Sequence, residues 1–270
     1  VGGVKLKKEM VLVHNEGQVL IRYTLLDAHS DTILRLKPFL AYRNIHALSK
    51  ANMMANTKYQ PLENGIRSKL YNGFPSLNMQ INKKNEFIAV PDWYYNIEYT
   101  EEQNRGYEYQ EDLFVPGYFE FPIKKGESVI FSASIEEASP SRLKTKFQKL
   151  VDERAPRNSF ENCLKYSASQ FIVRRGKDTE IVAGYPWFGR WGRDTFIALP
   201  GLTLSASGDI KTCKEVLDTM IRQINNGLFP NIGKDKDAAY NSVDAPMWFF
   251  KAVQEYGDAL VEPEGAAEYD

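Results

Sequence analysis

The hydrophobic pattern of this chain changes at Ser139-Pro140, and this change constrains the fold more than any other feature of the sequence. From Glu9 to about Ile135, apolar and polar residues alternate in short runs that turn-forming residues separate. Alternation with a period of two is typical of half-buried β-strands. Beyond the change, apolar residues recur at intervals of three and four, which predicts helices. We therefore expect a multidomain α+β protein, with strands first and helices second.

The strand half is predicted to be an antiparallel β-sandwich. Its first two runs flank Glu16-Gly17 in EMVLVHNEGQVLIRYTLLD and are predicted to form a hairpin. Many short strands without intervening helices favour two packed sheets. The segment from His46 to Gly73 fits neither period, and we predict that it is a loop. Further strand runs are DTILRLKPFLAY, SLNMQIN, EFIAV, WYYNIEY, GYFEFPI and ESVIFSASI.

The second half is predicted to be all-helical. Helical spacing marks SPSRLKTKFQKLVDERA and SFENCLKYSASQFIVRR, the second with Ser159 near a capping box. In GDIKTCKEVLDTMIRQINNG, Asp209 can cap the helix and Gly227 can end it. A last helix is expected to start near Asp244 in DAPMWFFKAVQEYG and to stop at Gly257.

Composition narrows the class of ligand. Lysine and arginine number 34 against 35 acidic residues, so the net charge of −1 gives none of the attraction that a nucleic-acid binder needs. Cys163 and Cys213 are far apart, which indicates neither a disulfide framework nor a zinc site. We see no Gly-rich phosphate loop, so a nucleotide cofactor is unsupported, and we predict neither a cofactor nor a metal. The balanced charge favours a neutral ligand. No apolar run reaches the ~20 residues of a membrane span, and the start lacks a signal-peptide core, so we expect a cytoplasmic protein.

The stretch YPWFGRWGRDTFIALPGL suits a neutral polyhydroxylated ligand. A site that binds a sugar needs flat apolar side chains on which the sugar ring stacks and planar groups that hydrogen-bond to neighbouring hydroxyls. Arg193 can supply a donor fork and Asp194 an acceptor pair, while Gly184, Gly189 and Gly192 allow close backbone approach. The candidate faces are Tyr185, Trp187, Phe188 and Trp191.

A purely structural interpretation of the same residues stays open. The aromatic residues can be core, and Asp194 can cap the helix TFIALPGLTL. In YNSVDAPMWFF, Asp244 precedes alanine and Pro246 and also has the position of a cap. A capping aspartate should have a lowered pKa, which opposes work as a general acid. The residues alone do not decide between the two roles.

The motifs AGYPWFGRWGRDTFIALPGL, GLFPN and YNSVDAPMWFF occur in an order that resembles the amylo-α-1,6-glucosidase domain of glycogen debranching enzymes, particularly the bacterial and archaeal type. LKPFLAYRNIHALSKAN and EDLFVPGYFEF resemble the sandwich domain that precedes it in these proteins. The resemblance implies an (α/α)6 toroid whose inner-helix ends form a glucose-sized pocket. It also implies that the substrate is glycogen or another branched α-glucan, whose α-1,6 branch stub is hydrolysed with inversion.

The resemblance also implies roles for individual residues. Asp244 resembles the general acid, and Trp191, Arg193 and Asp194 resemble residues that hold the terminal glucose. Eukaryotic members carry Cys-Arg where this chain has Ser242-Val243, so recognition around the acid is open to difference. The full predicted substrate-binding set is Trp187, Trp191, Arg193, Asp194, Tyr240 and Asn241.

The second carboxylate of an inverting glycosidase is not evident. It should lie about 6.5–9.5 Å from the acid, whereas Glu255 is about 16 Å along the helix from Asp244 at 1.5 Å per residue. The resemblance places the base later in the toroid. We therefore expect a fragment that is inactive by itself, with a sandwich at 1–138 that is incomplete at its N-terminus, a linker and first helices at 139–180, and a truncated toroid from 181 to 270.

Two other functions stay open. One is a related glucoamylase-like exo-glucosidase, which would also need an Arg-Asp pair and an aromatic cluster. The other is a noncatalytic carbohydrate-binding module in which the sandwich carries the ligand.

Overall fold

The computed structural model describes residues 2–14, 16–185, 188–233 and 237–261. The chain divides into two compact units, Val1–Arg154 and Ala155–Asp270. Antiparallel sheets and helices are both present, which confirms the α+β class. The domain bounds drawn from the sequence stay a prediction. Among the residues just given, no helix combines the length and the hydropathy that crossing a membrane requires.

The first unit contains two antiparallel sheets. The larger has the order β1-β2-β9-β6-β5-β4, and the smaller has the order β3-β8-β7. Strands β1 and β2 pair antiparallel from Lys5↔Asp27 to Leu12↔Val19, which confirms the first predicted hairpin. The strands are β1 (Lys5–Leu12), β2 (Gln18–Asp27), β3 (Thr32–Leu36), β4 (Tyr59–Leu62), β5 (Gly65–Ser68), β6 (Leu77–Ile81), β7 (Glu86–Glu98), β8 (Gln110–Ile123) and β9 (Ser128–Ser134).

Both sheets contribute to one hydrophobic core. Leu25 and Met79 from the larger sheet lie in the same buried cluster as Phe119 and Phe121 from the smaller one. Phe119 of β8 meets Phe131 of β9 edge-on, with ring centroids 5.7 Å apart. The alternating pattern of the sequence therefore places apolar residues of both sheets in one buried cluster.

The prediction of a loop from His46 to Gly73 is wrong in part, because strands β4 and β5 lie within it. The turn between them uses Asn64 in the left-handed region, at φ 50°. A Cβ on Gly65 would lie 2.1 Å from the carbonyl oxygen of Met79, so glycine allows the close approach of β6. Pro61 is tolerated because β4 is an edge strand.

A buried carboxylate fixes a long loop of this unit. The side chain of Glu111 is 0% exposed and forms an ion pair with Arg43. It also accepts hydrogen bonds from Ser49, through N at 3.0 Å and Oγ at 2.9 Å, and from the hydroxyl of Tyr99 at 2.5 Å. Burial raises the pKa of Glu111, but the bonds from Arg43, Ser49 and Tyr99 outweigh burial and lower this pKa to about 2.

Two helices belong to the first unit. Helix α1 (Thr100–Asn104) lies between β7 and β8, and helix α2 (Leu143–Asp152) follows a 3-10 turn at Pro140–Arg142. Helix α2 buries Leu143 and Phe147 in a cluster that also contains Leu20 and Ile130 from the larger sheet. The helical spacing after Ser139-Pro140 is thus confirmed, and the helix packs on the strands.

The second unit is mainly helical, with α3 (Phe160–Gln170), α4 (Gly192–Pro200), α5 (Ile210–Ile221) and α6 (Ala245–Val261). The predicted caps are confirmed, because Ser159 accepts from the Asn162 N–H at 3.1 Å and Asp209 from the Thr212 N–H at 2.9 Å. Helix α4 continues past Pro200 as a π-helical turn over Gly201–Ser205.

Three predictions for this unit are wrong. It is not all-helical, since strands β10 (Ile172–Arg175) and β11 (Asp178–Ile181) form an antiparallel hairpin. Gly176, with φ 62°, lies in the turn between them. Gly227 does not end α5, which stops at Ile221. Gly257 does not end α6, which continues to Val261. A glycine inside a helix costs about 1 kcal/mol relative to alanine, and the packing of a long helix can offset that cost.

Candidate active site

The candidate site lies where α4 and α6 begin. Phe196 of α4 meets Phe249 of α6 at a ring-centroid distance of 5.4 Å. Phe229, in the segment between α5 and α6, contacts Phe196 at 4.8 Å and Phe249 at 4.9 Å. This aromatic core holds the two helices beside each other, so the motifs WGRD and YNSVDA meet in space although they are distant in sequence.

Arg193 and Asp244 approach each other at the centre of this site. The Arg193 Nη1 and Asp244 Oδ2 atoms lie 3.9 Å apart, and each side chain is 44% exposed. The distance is at the limit of an ion pair, so the two groups are close without a short hydrogen bond between these atoms. A donor fork and a carboxylate are therefore both accessible to a ligand.

The Asp244 carboxylate is held in its ionised form in this arrangement. Ser242 Oγ donates a hydrogen bond to Asp244 Oδ1 at 2.6 Å. That bond, followed by the backbone N–H of Asp244 itself and then the charge of Arg193, keeps the pKa of Asp244 below its usual value of 3.8 although burial raises it. The lowered pKa agrees with the direction expected from the sequence, but its largest cause is Ser242.

Asp194 is not the cap of α4. Trp191 occupies the cap position without a capping side-chain bond, and Asp194 lies inside the first turn. Its Oδ2 atom is buried and has no hydrogen-bond partner among the described residues. Leaving a carboxylate oxygen buried without a donor is costly. The oxygen therefore lacks a donor within this part of the chain, and a ligand hydroxyl can reach it only if the atoms that cover it move.

The predicted aromatic faces differ in their surroundings. Phe188 is 52% exposed and meets the half-buried Trp191 edge-on at 5.9 Å. Tyr185 is exposed and its hydroxyl donates to the Gln170 carbonyl at 3.0 Å. Phe188 and Tyr185 are thus surface rings, which contradicts the interpretation of these two residues as core. Trp187 lies outside the described residues.

The two remaining predicted residues lie in the segment that precedes Asp244. Tyr240 is half-buried and its hydroxyl donates to the Gln223 carbonyl at 3.4 Å. Asn241 is exposed, and its Oδ1 accepts from Asn231 Nδ2 at 3.1 Å. The structure thus brings Arg193, Asn241 and Asp244 into one site.

Sequence reasoning missed two residues here. Arg190, in the same motif as Arg193, is buried and pairs with Glu180 at 3.2 Å. Asn231 is also buried and contacts the segments that carry Arg193 and Asn241. The motif GLFPN, which ends in Asn231, was the available signal for the second. No group of three or more His, Cys, Asp or Glu side chains suited to a metal occurs in the described part of the chain.

Two family models match this chain, one in each half. The family model "Glycogen debranching enzyme N terminal" matches residues 1–130, and the model "Amylo-alpha-1,6-glucosidase" matches residues 166–265. The chain is 32% identical over 109 residues to the glycogen debranching enzyme of Saccharomyces cerevisiae. The matched region covers 35% of this chain and 7% of that protein.

A solved structure shares the fold. A bacterial glucoamylase complexed with acarbose aligns with a TM-score of 0.50 and 12% identity, over 97% of this chain and 47% of the glucoamylase. The matches define the class as that of the glycoside hydrolases. Within this class, the chain belongs to the glycogen debranching enzyme family. It spans only a small part of the yeast relative and about half of the glucoamylase.

Proposed function

We propose that this chain carries the sandwich domain and the first part of the (α/α)6 catalytic toroid of an inverting amylo-α-1,6-glucosidase. Its substrate would be the single-glucose branch stub of glycogen or a related α-glucan. The observation that carries the proposal is the approach of Arg193 to Asp244, at 3.9 Å, with both side chains accessible. The two motifs that resemble the family thereby supply a sugar-binding fork and an acid to one site.

Each residue then has a separate role. Arg193 donates to two neighbouring hydroxyls of the terminal glucose, and Asp194 accepts from another once substrate binding uncovers its buried Oδ2. Trp191, with Phe188 edge-on against it, offers an apolar face to the C–H side of the ring. Tyr240 and Asn241 lie next to the leaving-group side, on the segment that precedes Asp244. Trp187 is assigned to the same pocket from its place in the motif.

Asp244 must gain a proton before it can act as the acid. Its pKa is below the usual value without substrate, because Ser242 and Arg193 stabilise the carboxylate. A bound glucose would attract Arg193 to its hydroxyls and would exclude water from the carboxylate. A second carboxylate in the complete pocket would add repulsion. All three effects raise the pKa, so substrate binding prepares the acid.

In the reaction, the bond between the anomeric carbon and the glycosidic oxygen breaks while Asp244 transfers its proton to that oxygen. A water molecule attacks from the opposite face and gives its proton to a base, which releases glucose with inverted configuration. We assign no residue of this chain as the base. Turnover is therefore expected of the full-length protein, and the chain alone is expected to be inactive.

Replacing the acid tests this proposal. In the full-length protein, Asp244→Asn should lower turnover of a branched limit dextrin by at least the ~10²-fold typical of acid-base assistance. α-Glucosyl fluoride has a leaving group that needs no proton, so it should recover much of the lost rate. The matched control is Asp209→Asn, because Asp209 caps α5 and asparagine also caps helices well. If Asp244→Asn keeps the activity of this control on both substrates, Asp244 is not the acid.

A glucoamylase-like exo-glucosidase is the second candidate, and the fold shared with a bacterial glucoamylase favours it. The two activities differ in the bond that they cleave. Glucose release from α-1,6-branched limit dextrin, compared with release from linear malto-oligosaccharides of the same size, separates them. Faster release from the linear substrate would favour the glucoamylase activity.

A further inference from the structure

Asn231 lies between the two segments that form the candidate site, and its side chain is not exposed to ligand. The residue is 7% exposed. Toward α4, its carbonyl oxygen accepts from the Gly192 N–H at 2.8 Å and its Oδ1 accepts from the Arg193 N–H at 3.4 Å. Toward the segment before α6, its N–H donates to the Ala239 carbonyl at 2.9 Å and its Nδ2 donates to Asn241 Oδ1 at 3.1 Å.

All four polar groups of Asn231 are therefore used, two on each side. The adjacent Ile232 repeats the arrangement with isolated β-bridges to Trp191 and Ala239. Bridges through the main chain are available to any residue, whereas the carboxamide is special to asparagine at this length. One end of the amide accepts from Arg193 and the other donates to Asn241.

We propose that Asn231 is a positioning residue that sets the separation between Arg193 and the segment carrying Asp244. The inference rests on the proposed function, because the distance between Arg193 and Asp244 matters only if both groups act on the same substrate. A buried amide that joins both segments fixes the Arg193 main chain against the Asn241 side chain. Without it, each segment keeps its own helix but loses this link to the other.

The chemistry of the amide predicts a graded series of variants. Asn231→Ala removes both the acceptor and the donor. Asn231→Asp keeps the acceptor for the Arg193 N–H but removes the donor to Asn241. Asn241→Ala removes the same second bond from an exposed side chain, where the risk to folding is smaller. A displacement of about 1 Å at a catalytic group can cost ~10²-fold in rate.

The experiment measures kcat and KM on branched limit dextrin, and the affinity for the glucose-shaped inhibitor 1-deoxynojirimycin, in the full-length protein. Asn231→Ala should lower kcat/KM by ~10²-fold, and Asn231→Asp and Asn241→Ala should each lower it by less. In the double variant Asn231→Ala/Asn241→Ala, the losses should be less than multiplicative, because both changes remove one shared bond.

The matched control is Asn78→Ala. Asn78 is also a buried asparagine with two side-chain bonds, to Arg67 Nε at 2.7 Å and to the Ser134 carbonyl at 3.2 Å, but it lies in the strand unit. The Asn78→Ala variant should lose thermal stability and keep its kcat/KM and inhibitor affinity. A structural role alone would make Asn231→Ala behave in the same way.

The outcomes are separable. If Asn231→Ala or, where that variant does not fold, Asn231→Asp stays within about twofold of Asn78→Ala in kcat/KM, the positioning role is overturned while the proposed function stands. Multiplicative losses in the double variant would also overturn it. A parent protein that releases no glucose from limit dextrin would instead refute the proposed function, and the inference with it.

Discussion

Gly192→Ala is the substitution for which the structure makes the sharpest prediction. Gly192 is the buried first residue of α4, and its N–H donates to the Asn231 carbonyl at 2.8 Å. A Cβ at this position would lie 2.4 Å from the carbonyl oxygen of Pro230 and 3.2 Å from its carbonyl carbon. These are main-chain atoms, so no side-chain rotation can relieve the clash.

The size of the effect follows from the distance to be recovered. Ordinary carbon contacts need roughly 3.5 Å, so the 229–231 segment and the start of α4 must separate by about 1 Å. Overpacking of this kind costs about 1–3 kcal/mol, and the better helix propensity of alanine returns up to about 1 kcal/mol. We expect a net loss of about 1–2 kcal/mol in the free energy of unfolding. Because Arg193 moves with Gly192, kcat/KM should fall by ~10²-fold.

The measurements are thermal unfolding and limit-dextrin kinetics of the full-length protein, with Gly189→Ala as the control in the same motif. A Cβ on Gly189 meets no atom within 4 Å among the described residues. The free energy of unfolding of Gly189→Ala should stay within about 0.5 kcal/mol of that of the parent protein. Equal melting temperatures and equal kcat/KM for the two alanine variants would show that the close approach at Gly192 does not matter.

Two further predictions concern charged groups. Arg193→Lys should raise KM for limit dextrin, because an ammonium group cannot form the bidentate fork; an unchanged KM would remove Arg193 from sugar binding. The pKa of Glu111 is about 2 in the folded unit against 4.5 ordinarily, so its stabilisation of about 3 kcal/mol is fully present above pH 4.5 and is lost as pH falls toward 2. Urea unfolding between pH 5 and pH 2 measures this slope, and Glu111→Gln should flatten it; equal slopes in both proteins would contradict the assignment.

Local patterns predicted much of the fold because their causes are local. The caps at Ser159 and Asp209 depend on residues three positions away, and the β1–β2 hairpin depends on a short turn. The strands missed by the sequence analysis, β4, β5, β10 and β11, have four residues each. So short a run shows little alternation, although Asn64-Gly65 and Gly176 were readable turn signals. Strand β5 also owes its place to pairing with β6, which is a tertiary contact.

Most residues of the candidate site could be predicted from the sequence, but their arrangement in space could not. The motifs indicated which residues to examine, but their approach depends on the contacts of Phe196, Phe229 and Phe249, which come from three segments. Asn231 was missed for the same reason. An asparagine after proline in a short loop is ordinary in a sequence, and only the folded chain shows that its amide spans two motifs.

The sequence left Asp244 with two conflicting roles, a helix cap and a general acid. The structure separates them by atom. The main-chain carbonyl of Asp244 accepts the first bonds of α6, from Met247 N at 3.0 Å and Trp248 N at 3.2 Å. Its carboxylate oxygens instead face Ser242 and Arg193. The start of the helix therefore uses the main-chain carbonyl of this residue, while the carboxylate is bonded to Ser242 and lies near Arg193. Asparagine at this position keeps the helix start and removes the carboxylate, so we expect a loss of turnover with an intact fold to report on the carboxylate alone.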